Sequence, residues 1–170
     1  MSDYRGTSEL TGLSQTVIRR LVSQGHLKTD DEERWQGVQR PFTGSDLLRA
    51  CVLAALARVG LSYPDAGRVT APLGHNGFFT YAGRRHGRGA TLCVWTEEAP
   101  REDRPANQQP VQYQADVLPR DTVLNLLNRP TVEGLIVVPL ERHWSAIVEH
   151  AEAEQARRTG KDHGWAAAFK

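Results

Sequence analysis

The chain has 170 residues, with 21 Lys and Arg against 20 Asp and Glu for a formal net charge of +1, and it is 39% hydrophobic and 24% charged. That balance belongs to a globular chain rather than a disordered one, and no apolar run approaches the roughly 20 residues that cross a bilayer. Met1-Ser2-Asp3-Tyr4-Arg5 has no apolar core of the signal-peptide kind, so a cytoplasmic location is expected.

Two cysteines, Cys51 and Cys93, make no disulfide framework, and their separation fits no zinc-site spacing. Each reads as a small core residue, Cys51 in a helix between Leu48 and Val52 and Cys93 in a strand. Residues 1–70 hold nine Lys and Arg and eight Asp and Glu. The acids Asp30, Asp31, Glu32 and Glu33 gather at one point, whereas Arg19, Arg20, Arg34 and Arg40 are spread over a different set of positions.

In chain order, Thr7 or Ser8 is the expected cap of a first short helix with Leu10 and Leu13 inward, and Gly12-Leu13 makes a tight turn. Ser14 is a good cap for a second helix. Val17, Ile18, Leu21 and Val22 supply its inward stripe, which leaves Gln15, Thr16, Arg19, Arg20 and Ser23 outward. Such a face can reach phosphates, grip guanine through Arg or address adenine through Gln; a solvated helix face has the same composition. Residues 28–42 are polar and charged, with Gly37 at a turn, and read as a projecting hairpin whose Arg34 and Arg40 can meet a sugar-phosphate backbone. Trp35 either stacks beneath that hairpin or packs on the body. Thr43 or Ser45 then caps a long helix running to about Val59, with Leu47, Leu48, Cys51, Val52, Ala55, Leu56 and Val59 as its stripe and Gly60 as its stop. Ser62-Tyr63-Pro64-Asp65 opens another short helix, with proline in its first turn.

These residues resemble the DNA-binding domain of the MerR superfamily, including the related excisionase-like winged helices. The likeness rests on Gly12-Leu13-Ser14, Ile18-Arg19, Gly25-His26-Leu27, the run Arg40-Pro41-Phe42-Thr43-Gly44-Ser45-Asp46-Leu47, and Val59-Gly60-Leu61-Ser62. It spans residues 4–69, about 40% of the chain. The resemblance implies a winged helix-turn-helix in which Arg19 contacts DNA from the recognition helix, Arg40 contacts it from the wing, and Phe42 seats the wing. Family members often carry two tyrosines after the recognition-helix arginine; here Arg20 and Leu21 follow, which is closer to the excisionase-like branch, and the hairpin is more acidic.

Regulators of that superfamily usually continue into a long helix that pairs in an antiparallel dimer. Here Ala71-Pro72-Leu73-Gly74 breaks the helical pattern. Residues 77–82 and 90–96 read as a β-hairpin around the basic, glycine-rich loop 83–89, whose Arg84 and Arg85 are a candidate second phosphate contact or an ordinary hairpin tip. Residues 97–110 read as linker, 111–118 as a strand, 121–128 as a helix, 134–138 as a short buried strand and 141–158 as an amphipathic helix with Trp144, Ile147, Val148 and Ala151 inward.

The expected fold is therefore α+β: a winged helix-turn-helix over residues 1–70, a small mixed module over 71–159 for dimerisation, an effector or a partner, and a mobile tail over 160–170. No Gly-x-Ser-x-Gly, His-Glu-x-x-His or phosphate-binding glycine loop occurs, so no enzyme and no cofactor is expected. His143, His150 and Glu149 share one helix and can hold a metal, although surface histidines are commoner in that pattern. The leading reading is a homodimeric transcriptional regulator contacting double-stranded DNA through Ser14, Gln15, Thr16, Arg19, Arg20, Arg34, Arg40, Arg84 and Arg85. The alternatives are a protein-interaction or assembly module on the same scaffold and an excisionase-like protein that bends DNA.

Overall fold

The computed structural model describes residues 3–27, 42–74, 89–97 and 112–159. Within them the chain is mixed α+β, with six α-helices and a three-stranded antiparallel sheet. The helices are α1 (Tyr4–Thr11), α2 (Gln15–Ser23), α3 (Gly44–Arg58), α4 (Tyr63–Thr70), α5 (Val123–Leu127) and α6 (Leu140–Thr159), and the strands are β1 (Ala90–Glu97), β2 (Tyr113–Pro119) and β3 (Val132–Pro139). The expected wing (28–41), first hairpin strand and basic loop with Arg84 and Arg85 (77–88), most of the linker and the tail lie outside the described residues.

Helix ends follow the side chains that satisfy them. Asp3, rather than Thr7 or Ser8, caps α1: its carboxylate accepts from the Gly6 amide at 2.8 Å. Thr7 lies inside the helix, and its hydroxyl donates to the carbonyl of the cap residue Asp3 at 2.7 Å rather than accepting from the terminal amides. Gly12 closes α1 at φ 73°, a left-handed conformation that costs glycine little. Thr43, not Ser45, caps α3 through a reciprocal box: the Asp46 amide donates to Thr43 Oγ1 at 3.3 Å, and the Thr43 amide donates to Asp46 Oδ2 at 2.9 Å. At the far end the Leu61 amide donates to the Leu56 carbonyl at 3.1 Å and Gly60 to Ala57 at 3.1 Å, the paired bonds of a Schellman stop.

The third helix is buried on nearly every face rather than along one stripe. Ser45, Asp46 and Arg49 are buried with Leu47, Leu48, Cys51, Val52, Leu53 and Leu56, while Val59, expected inward, is 62% exposed beyond the last turn. A helix covered all round is the centre of its layer, and α3 packs against α1, α4 and α6. After α4 the chain tightens into a 3₁₀ turn, Ala71–Gly74, where the α-helical pattern was expected to fail.

The strand order is β2-β1-β3, with β1 antiparallel to both neighbours. Because both edges of β1 are taken, from Ala90↔Pro119 to Thr96↔Tyr113 on one side and from Thr91↔Pro139 on the other, its partners are β2 and β3 and not the 77–82 segment expected to form a hairpin with it. The third strand corrects a second expectation. It runs from Val132, lies at an edge of the described sheet, and has Val138 as its one buried residue, so the apolar run 134–138 is not a buried strand. A bulge between Thr96 and Glu97 shifts the register opposite Gly134 and Val132.

Alternation along β1 feeds two layers. Leu92 and Val94 join Val117, Val138, Leu140 and Ile147 in a core that continues without a break through α3 to Ile18 and Leu21 of α2. Cys93 and Trp95 face the other way, onto Val123 and Leu126 of α5. No described helix is long and apolar enough to cross a membrane.

Candidate nucleic-acid interface

The second helix is built as a clamped element with one open face. Ser14 caps it, accepting from the Val17 amide at 3.3 Å. Its C-terminus is closed by His26, whose amide donates to the Leu21 carbonyl at 2.9 Å, and by Gly25, which donates to Val22 at 3.0 Å from a left-handed φ of 74°. Ile18 and Leu21 are fully buried, and Val17 and Val22 lean on the same core. Burying two such side chains contributes about 1.5–3 kcal/mol each, enough to hold the helix in one rotation about its axis.

That rotation leaves Ser14, Gln15, Thr16, Arg19, Arg20 and Ser23 exposed together. There is no acidic residue in the helix to neutralise the two arginines. The face therefore offers a positive, hydrogen-bonding strip about two turns long, of the kind that can span base edges and a flanking phosphate. The Ser14 hydroxyl already accepts one bond from the helix, which leaves its proton and one lone pair for an outward contact.

Arg19 is held by a residue that no sequence motif marks. Its guanidinium lies over the Tyr4 ring, 5.4 Å from the centroid, and Tyr4 meets Phe42 edge-on with centroids 5.2 Å apart and planes at 90°. Phe42 is 1% exposed at the foot of α3 and directly follows residues 28–41. The aromatic expected to seat a wing thus touches the helix that carries Arg19 through one intervening ring. Arg20 stands on the last turn, where Ser23 Oγ donates to its carbonyl at 2.9 Å. Arg34, Arg40, Arg84 and Arg85 lie outside the described residues.

The other candidate groups have local explanations. Burial pushes the Cys51 thiol up to about 12, against a lowering pull from Arg58, and burial together with Asp116 pushes Cys93 up to about 11. Both are core thiols with little thiolate character. Burial, helped by Arg142 and Arg58, holds the His143 imidazole below its ordinary value. His150 Nε2 lies 3.7 Å from Glu154 Oε1 one turn on, and Glu149 faces solvent. Among the described residues, no three His, Cys, Asp or Glu side chains converge as metal ligands.

No family model matches the chain, and no curated protein matches it.

Proposed function

We propose that this chain is a sequence-specific DNA-binding transcriptional regulator, with residues 4–69 acting as a MerR-like winged helix-turn-helix. In this reading α2 enters the major groove, Arg19, Arg20, Gln15 and Thr16 meet bases and phosphates, and residues 28–41 carry Arg34 and Arg40 onto the backbone. The observation that carries it is the acid-free exposed face of α2, on a helix whose opposite side is anchored by Ile18 and Leu21. The Tyr4 ring under Arg19 supports it further, because a guanidinium braced over an aromatic ring gives up less freedom when it contacts DNA.

The protein acts as a homodimer in this account, since one small domain makes few base contacts and two-fold symmetry doubles them. Selection of binding sites from a random DNA pool with the purified chain tests both points. An enriched inverted repeat is the expected result, and a pool that stays random contradicts the reading.

A protein-interaction role has its own support in Leu124 and Leu127 of α5, 65% and 56% exposed, with Val137 open on the adjoining strand β3. These residues are the described surface best suited to a partner, either a second copy or another protein.

A further inference from the structure

The outward side of α2 divides into a midline and two shoulders. Successive residues turn by about 100° around a helix, so the buried pair Ile18 and Leu21 fixes where the outward direction lies. Thr16 and Ser23 fall within about 10° of the point directly opposite that pair, while Arg19 and Arg20 stand about 50° to either side of it. Gln15 lies further round, about 90° from the midline and next to the half-buried Val22.

The hydroxyls of this helix are not equally available. Ser14 Oγ accepts from the Val17 amide at the N-terminus, and Ser23 Oγ directs its proton to the Arg20 carbonyl at 2.9 Å. Among the described residues nothing hydrogen-bonds to the Thr16 hydroxyl, and Thr16 is exposed. It stands in the first turn, the part of a groove-bound helix that comes nearest to base edges. Arg19 is drawn off the midline, onto the Tyr4 ring of α1.

We propose that Thr16 is the residue through which α2 reads sequence, and that Arg19 and Arg20 hold phosphates on the two walls of the groove. This rests on the DNA-binding reading and divides its contacts by role. A major groove about 12 Å wide admits a helix whose midline faces the base edges and whose shoulders face the two strands. At the midline a threonine presents a hydroxyl that donates or accepts, and a methyl that packs on a thymine methyl. The flanking guanidinium groups meet phosphate oxygens on either strand, which fixes register without reading sequence. Gln15 is turned toward a wall and away from the base edges.

Selection from a random duplex pool with native protein and single variants tests this division. Thr16→Ala is expected to lose about tenfold of the native preference at one base pair of each half-site. Its affinity for a mixed-sequence duplex changes by less than about threefold, with the salt slope unchanged. Thr16→Asn moves the preference at that same base pair to another base, an outcome that a merely structural threonine would not give. Arg19→Ala and Arg20→Ala weaken binding to all sequences alike and leave the motif intact. A native motif that survives Thr16→Ala at every position overturns the assignment and leaves DNA binding standing. A guanine preference lost in Arg19→Ala or Arg20→Ala does the same. A native pool that stays random overturns the DNA-binding reading and the assignment together.

Discussion

The Arg19 guanidinium lies 5.4 Å from the centroid of the Tyr4 ring, which joins the exposed face of α2 to the first turn of α1. Tyr4 in turn meets Phe42 just before α3, so the ring that braces Arg19 is itself held from a third part of the chain. Removing the ring frees the arginine without removing its charge. Tyr4→Leu is expected to weaken DNA binding about threefold to tenfold, from a contact of about 0.5–1 kcal/mol plus lost bracing, while Tyr4→Phe stays near native. Mobility shifts of the two variants make the comparison; equal losses in both would point to the hydroxyl instead.

The anchoring of α2 predicts a stability effect separable from any binding effect. Ile18 is fully buried and belongs to the same core as α3 and the sheet. Ile18→Ala should cost about 2–5 kcal/mol in urea unfolding. A loss below about 1 kcal/mol would mean that α2 is not held by this core.

Much of this region is legible in the amino-acid sequence, because helix signals are local. Ser14, Thr43 and Ser62 are small polar residues before apolar-periodic stretches, Gly25 and Gly60 follow them, and each does in the fold what its neighbours in sequence imply. The first helix departs only because Asp3 reaches the terminal amides before Thr7 can. Long-range partners are another matter. An apolar run such as Leu135-Ile136-Val137-Val138 has the same composition in a central strand or an edge strand, and only the pairing of β1 with both neighbours puts it at the edge. The carbonyl that the buried Arg49 meets is 18 residues away, a separation that no local pattern announces. Tyr4, Arg19 and Phe42 likewise share no sequence spacing that could announce their contact.

The capping box of α3 gives a third expectation. Thr43→Ala removes both the acceptor for the Asp46 amide and a donor to the Asp46 carboxylate, and Asp46 is 2% exposed. A loss of about 0.5–2 kcal/mol is expected, and Thr43→Ser should recover most of it. A neutral Thr43→Ala in chemical unfolding would contradict the assignment of the cap.

His143 makes stability depend on pH in a definite direction. Burial, with Arg142 and Arg58, favours the neutral ring in the folded chain, so its folded value lies below the ordinary 6.5. Between those two values the unfolded chain binds the proton and the folded chain does not, so this group's contribution is intact above about 6.5 and is lost as the pH falls through the folded value. Urea midpoints measured from pH 7.5 to 5 should fall, and His143→Gln should flatten the fall. An unchanged pH profile in His143→Gln would contradict this assignment.

Salt dependence of binding to a mixed-sequence duplex, measured for the native chain, Arg19→Ala and Arg20→Ala, tests the central claim most directly. Native protein should bind with log K falling linearly in log salt, and each substitution should weaken binding and reduce the slope by about 1. Binding that does not respond to salt, or slopes that both variants leave unchanged, would contradict the docking of α2 on DNA.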